Sequence, residues 1–196
     1  MSDPETLAVY AARAAEYDAL VGADGPSDDM KRFMAGVTPG GRVLDIGCGP
    51  GAAAGYMAAA GFVAEAWDPV PEMLAMAAAR PGVTARAAGY DDLTAEAAYD
   101  GIWANFSMLH TPLAEWPTYF AAVHRALTPG GLFHFGTKLG TGEHRDSIGR
   151  LYSYMEAEAL KALLADTGFT LAFERTGEEA GLSGEIARYI ILQAHA

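Results

Sequence analysis

Val43-Leu44-Asp45-Ile46-Gly47-Cys48-Gly49-Pro50-Gly51 is the stretch whose reading decides the fold. Residues 42–46 form a short apolar run, the length of a buried strand, and lead straight into a glycine-rich turn. The alanine-rich residues 52–60 read as the helix that follows, closed by Gly61. Glycines directly after a strand let the chain turn tightly and let a ligand approach the backbone. The first N–H groups of the next helix stay free for a polar or anionic group. Asp45 stands out, because a carboxylate in an apolar strand is costly unless it is paired or accepts hydrogen bonds. It sits where it could receive a ligand's amine or orient the loop. The glycine spacing by itself also fits a plain tight turn or a dinucleotide-binding fold.

Outward from this stretch the unit repeats. Residues 62–67 make a second strand ending at Asp68, about 20 residues on, the place from which a carboxylate reaches the two hydroxyls of a ribose. Asp before Pro69 is also a common helix start. Pro71 suits the first turn of a helix over residues 72–80. Further strands are expected at residues 83–87, 99–104 and 132–137, with a helix over 115–127. Such alternation predicts a parallel sheet with helices on both faces.

Ahead of this core, residues 6–21 read as one amphipathic helix ending before Gly22. A second helix follows, capped by Ser27 or Asp28 and stopped by Thr38-Pro39-Gly40-Gly41. Behind it, residues 138–150 read as a loop holding Lys138, His144, Arg145 and Arg150. Ser153 and Glu156 read as a capping box for a helix closed by Gly168, and residues 169–175 and 186–194 as an antiparallel strand pair.

At 196 residues the chain is the length of one domain. The expected organisation is residues 1–38 as a lid of N-terminal helices and 41–196 as the α/β core. Thirteen Lys and Arg against 25 Asp and Glu give a net charge of −12, which repels nucleic-acid backbones and anionic membrane surfaces. Cys48 is the single cysteine and forms no internal disulfide. The start of the chain lacks a signal-peptide pattern and no 18-residue apolar run is present, so a cytoplasmic monomer or homodimer is expected. No CxxC, HExxH or paired-carboxylate spacing calls for a metal.

The run VLDIGCGPG, Asp68 closing the next strand, the LTPGG turn at residues 127–131 and the Gly168-Phe169 step resemble class I S-adenosylmethionine-dependent methyltransferases, over nearly the whole chain. The stretch YDGIWANFSMLH at residues 99–110, followed by Lys138-Leu139-Gly140, is similar to the small bacterial branch that includes tellurite-resistance-type enzymes. The resemblance implies a three-layer α/β/α sandwich whose seven-stranded, mostly parallel sheet has its last strand antiparallel. It implies S-adenosylmethionine as the cofactor and S-adenosylhomocysteine as the product. Asp45 and the loop of Gly47, Cys48, Gly49 and Gly51 would cradle the methionine part, and Asp68 would hold the ribose. Pro69 and Met73 would pack near the adenosine, while Asn105 and Phe106 would line the sulfonium region. The adenine end departs from the family's Gly-Asp pair, reading Ala88-Gly89-Tyr90-Asp91-Asp92. There Tyr90 could offer a backbone N–H and Asp91 a carboxylate, or Asp91 is a solvated loop acid.

His110 follows the fourth strand, where an imidazole could take a proton from an attacking N–H, O–H or S–H group; a histidine that only packs in the loop is the alternative. Tyr10 and Tyr17 share a helix face and could close over the site, or simply pack in the core. Lys138 and Arg145 could hold an anionic or electron-rich substrate, or belong to a solvated loop. Together these readings describe methyl transfer to a small-molecule acceptor by in-line displacement. The rivals are an NAD-dependent oxidoreductase, which shares the Gly-x-Gly and Asp68 pattern, and a non-catalytic protein that keeps the cofactor pocket as a sensor or scaffold.

Overall fold

The computed structural model describes residues 3–21, 25–180 and 182–196. Seven strands form one sheet: β1 (Arg42–Ile46), β2 (Val63–Trp67), β3 (Val83–Arg86), β4 (Tyr99–Asn105), β5 (Leu127–Lys138), β8 (Thr170–Ala180) and β9 (Ile186–His195). Their order is β3-β2-β1-β4-β5-β9-β8, with the first five parallel and β9 antiparallel to both neighbours. The expected mostly parallel sheet with its last strand antiparallel is therefore present.

Period-two alternation splits β1 between the two faces. Leu44 and Ile46 enter one core with Ile102, Phe133 and Leu192, covered by α6 (Trp116–Ala126) and α7 (Ala157–Asp166). Val43 enters the other core with Trp103 and Leu132, covered by α3 (Asp28–Gly36) and α4 (Ala52–Ala59). Small side chains, Ala54, Ala66 and Ala77, let α4 and α5 (Pro71–Ala78) sit close to β2. Ser27 caps α3, its Oγ accepting from the Met30 amide at 3.2 Å. The outer strand β8 carries Glu174, Glu178 and Glu179, charges that discourage pairing with another chain.

Beyond the longer spans of β5 and β8, which begin at Leu127 and end at Ala180, the structure departs from the sequence reading in three places. Residues 6–21 are two helices, α1 (Pro4–Ala12) and α2 (Ala14–Val21), broken at Arg13; Gly22, the expected stop, lies outside the described residues. Residues 138–150 are not a plain loop, because β6 (Gly142–Arg145) pairs antiparallel with β7 (Leu151–Tyr154) in a small second sheet. Ser153 caps nothing: it lies in β7, where its Oγ donates to the Thr111 carbonyl at 2.6 Å. The N-cap of α7 is Glu156, without a side-chain cap.

Candidate active site

After β1 the chain runs outward through β2 and β3, then crosses back to place β4 on the other side of β1. A crevice opens at the carboxyl ends of strands where the direction of winding reverses, and ligands bind there in folds of this kind. Three adjoining cavities occupy this place. The first is lined by Gly47, Gly49, Asp68, Pro69, Met73, Tyr90 and Phe106 among others, and the second by Asp45, Cys48, Gly49, Trp103 and Asn105. The third is lined by Asn105, Phe106, Lys138, Arg150 and Tyr152. Tyr10, Tyr17, Phe106 and His110 wall both the first and the third, so the two meet across these rings.

Asp45 points from β1 toward α4, where its Oδ2 accepts the Ala54 amide at 3.1 Å. It is buried, and among the described residues no Lys or Arg forms an ion pair with it. Burial pushes its pKa up to about 7, against the smaller opposing effect of the Ala54 amide. Asp68 is also buried, its oxygens accepting the amides of Gly49 at 2.8 Å and Val70 at 2.9 Å. Burial raises its pKa in spite of these bonds.

The loop between the two carboxylates depends on glycine. Gly47 has φ +69°, and a Cβ there would lie 2.3 Å from the Ser107 Cβ. Gly51 has φ +74° and packs against Ala77 of α5, where a Cβ would come within 2.8 Å of its Cα. Cys48 donates its thiol to the Gly49 carbonyl at 3.3 Å, and burial pushes the thiol well above its ordinary pKa, so it is no nucleophile at neutral pH.

Phe106 closes β4 with φ +54°, a strained conformation for a residue with a side chain, and this turns its ring to the wall shared by two cavities. Asn105 beside it is held by a buried chain. Gln193 donates to His134 Nδ1 at 3.3 Å, leaving His134 Nε2–H to donate to Asn105 Oδ1 at 3.1 Å. The His134 ring stacks on Trp103, with centroids 3.4 Å apart.

His110 is buried at the centre of a second network. Its Nδ1 lies 2.6 Å from the Leu151 carbonyl, which can only accept, so that nitrogen carries the proton. The Nε2 lone pair then takes the Tyr10 hydroxyl proton at 2.8 Å, and the Tyr10 oxygen accepts Arg150 Nη1 at 2.8 Å. Burial, reinforced by the Arg150 charge, lowers the His110 pKa to about 3 and keeps the ring neutral. Arg150 is itself 1 % exposed and paired at 2.7 Å with Asp146, whose side chain is 4 % exposed.

Not every expected residue reaches the cavities. Arg145 lies on the surface, where it binds the Asp3 carboxylate through both terminal nitrogens at 2.9 Å. With the bond from the Leu151 amide to Thr6 Oγ1 at 2.8 Å, this fastens α1 to the β6–β7 hairpin. Asp91 is exposed and accepts the Tyr119 hydroxyl at 3.1 Å, while its neighbour Tyr90 lines the first cavity and bonds Ser107 Oγ at 2.7 Å. Sequence reasoning gave no site role to Ser107, Tyr152 or Val70, and to Arg150 only a share in a basic loop that could hold an anionic or electron-rich substrate. Arg150 was visible only as one basic residue among several in its segment.

The fold and the crevice at its switch point define a class I methyltransferase architecture. The chain belongs to the methyltransferase domain family, whose model matches residues 22–172. Among solved structures it is similar to the 1,6-didemethyltoxoflavin-N1-methyltransferase of Burkholderia thailandensis, crystallised with 1,6-didemethyltoxoflavin and S-adenosylhomocysteine. That match has TM-score 0.76 and 22 % identity, over 97 % of this chain and 87 % of that one. A SAM-dependent methyltransferase from Methanosarcina mazei matches with TM-score 0.74 and 17 % identity, over 88 % and 98 % of the two chains. The phosphoethanolamine N-methyltransferase 2 of Haemonchus contortus, in complex with S-adenosyl-L-methionine, matches with TM-score 0.71 and 15 % identity, over 94 % of this chain and 57 % of that one. A search of curated proteins found no match. The finer resemblance to tellurite-resistance-type enzymes is not confirmed, and neither rival, the nicotinamide enzyme nor the non-catalytic sensor, gains support from these matches.

Proposed function

We propose that this methyltransferase uses S-adenosylmethionine and acts on a small molecule, with the first two cavities for the cofactor and the third for the acceptor. The observation that carries this reading is the pair of buried carboxylates, Asp45 in β1 and Asp68 just past the end of the neighbouring β2, facing adjoining cavities with no cationic side chain paired to either among the described residues. An ammonium group fits Asp45. Vicinal hydroxyls fit Asp68, because each carboxylate oxygen can accept a bond beyond the one it takes from the backbone. The glycine loop leaves its backbone open between them, and Pro69, Val70 and Met73 offer an apolar wall for a nucleoside. The adenine edge falls to Gly89 and Tyr90 rather than to Asp91, whose carboxylate is turned onto Tyr119.

When bound, the cofactor supplies an electrophilic methyl group on a sulfonium sulfur, open to in-line displacement. The chain's own residues align and dry the path. Tyr10, Tyr17, Phe106 and His110 enclose the junction of the first and third cavities, and the fixed Asn105 lines the second and third from β4. The N-terminal helices α1 and α2 contribute both tyrosines and act as the lid. His110 does not reach an acceptor with a free lone pair, because Tyr10 occupies its Nε2. A proton released by the acceptor passes to the Tyr10 oxygen as Tyr10's own proton moves to His110. A ring with pKa about 3 is a weak proton sink, so the pair suits an acceptor whose proton becomes acidic as the methyl arrives.

Incubation with S-adenosylmethionine and a panel of small acceptors should release S-adenosylhomocysteine. The Tyr10→Phe variant should turn over about 100-fold more slowly while keeping its affinity for S-adenosylhomocysteine. Tight cofactor binding without transfer to any acceptor would sustain the sensor reading instead, and an unchanged rate in Tyr10→Phe would remove the Tyr10–His110 pair from the mechanism.

A further inference from the structure

The third cavity has a shape and a charge that say more about its occupant. It encloses about 420 Å³, within the ~300–1,000 Å³ of small-molecule sites. Its walls include the rings of Tyr10, Tyr17, Phe106 and Tyr152. Tyr10 and Tyr17 meet edge to face at 5.3 Å, and the His110 ring touches both Tyr10 and Tyr152. These rings offer π-faces and edges that suit a flat ring, and Leu20, Leu109 and Leu182 add aliphatic contacts on the same wall.

Lys138, the last residue of β5, supplies the charge. It is 7 % exposed, and its ammonium lies 4.3 Å from the centroid of the Tyr152 ring. Among the described residues this ammonium has no hydrogen-bond partner and no ion pair. Arg150 nearby is different, because its guanidinium is already paired with Asp146 and bonded to Tyr10. Burial and the Arg150 charge lower the Lys138 pKa, against the smaller opposing effects of Asp146, Glu185 and Glu179, of which Glu179 shares the cavity wall. The ammonium's unused donors open on the cavity, where an anion can meet them.

Position narrows the role further. Lys138 lines the third cavity only, whereas Tyr10, Tyr17, Phe106 and His110 line the first as well. The charge is thus set back from the junction through which the methyl group must pass. A lysine bound to the attacking atom would also tie up the lone pair that attacks. Arg150 is paired with Asp146, and Glu179 on the same wall offsets Lys138 overall, so a carboxylate is favoured only where it lies against Lys138 and away from Glu179.

We infer that the methyl acceptor is an aromatic molecule bearing a carboxylate remote from the methylated atom. Its ring lies among the aromatic walls of the third cavity and its carboxylate is held by Lys138. This inference rests on the methyltransferase reading above and names the substrate class of the same site.

The test is calorimetric titration of the protein saturated with S-adenosylhomocysteine, using 4-hydroxybenzoate against 4-hydroxybenzamide and quinoline-6-carboxylate against quinoline-6-carboxamide. Each carboxylate should bind about tenfold or more tightly than its amide. Lys138→Gln should abolish that preference and Lys138→Arg should keep most of it, while all three proteins bind S-adenosylhomocysteine alike, which reports an intact fold. Equal binding of acid and amide, binding of neither, or a preference that survives Lys138→Gln overturns the inference. Failure of the unmodified protein to bind S-adenosylhomocysteine overturns the methyltransferase reading instead.

Discussion

At the scale of single residues, Asp45 ties a sequence anomaly to a measurable pH dependence. Burial holds its pKa near about 7, well above that of an exposed aspartate. The native state therefore binds a proton that the unfolded chain has lost, and this contribution to stability falls as pH rises from the unfolded value through about 7. A bound ammonium reverses the preference and favours the carboxylate. Affinity for S-adenosylhomocysteine should then weaken as pH falls below about 7, by up to about tenfold per pH unit. Asp45→Asn should bind weakly with a flatter profile; an equally steep profile in the variant would assign the effect to another group. Asp45 and Asp68 were legible in the sequence because each closes or interrupts a strand of its own unit, so local spacing identifies them. The Arg150–Tyr10–His110 chain was not, since Tyr10 and Arg150 are 140 residues apart and only tertiary folding makes their contact.

At the scale of elements, the β6–β7 hairpin shows why a segment can escape a reading by periodicity. Every residue of β6 is exposed, so no alternation of apolar and polar side chains marks it as a strand. What holds the hairpin's turn is polar: Asp146 accepts the amides of Ile148 and Arg150, as well as the Arg150 guanidinium. The pair is nearly sealed from water, with side-chain exposures of 2 % and 4 %. Removing one partner leaves a buried charge, so Arg150→Met should cost about 3–5 kcal/mol in denaturant unfolding. Combining it with Asp146→Leu should recover much of that loss. A double variant no more stable than the single one would mean that backbone bonds to Asp146, not the charge pair, secure the turn. The strands and helices of the core, by contrast, were legible because each short apolar run is bounded by glycine, proline or a capping residue.

At the scale of the whole molecule, the order of the sheet joins these parts. The crossing from β3 to β4 sets β1 and β4 side by side. Asp45 and Asn105 thereby reach one crevice, while α1 closes it from the far end of the chain through Tyr10 and the Asp3–Arg145 pair. The helix–strand alternation announced the sheet, but how the lid meets the hairpin depends on contacts such as Asp3–Arg145, between residues 142 apart in the sequence. The central claim is that the crevice is built for S-adenosylmethionine and its product, and calorimetry with S-adenosylhomocysteine and NAD side by side tests it most directly. The protein should bind S-adenosylhomocysteine and not NAD, and Asp68→Ala should weaken that binding by about tenfold or more. Binding of NAD alone, or S-adenosylhomocysteine affinity untouched by Asp68→Ala, would contradict it.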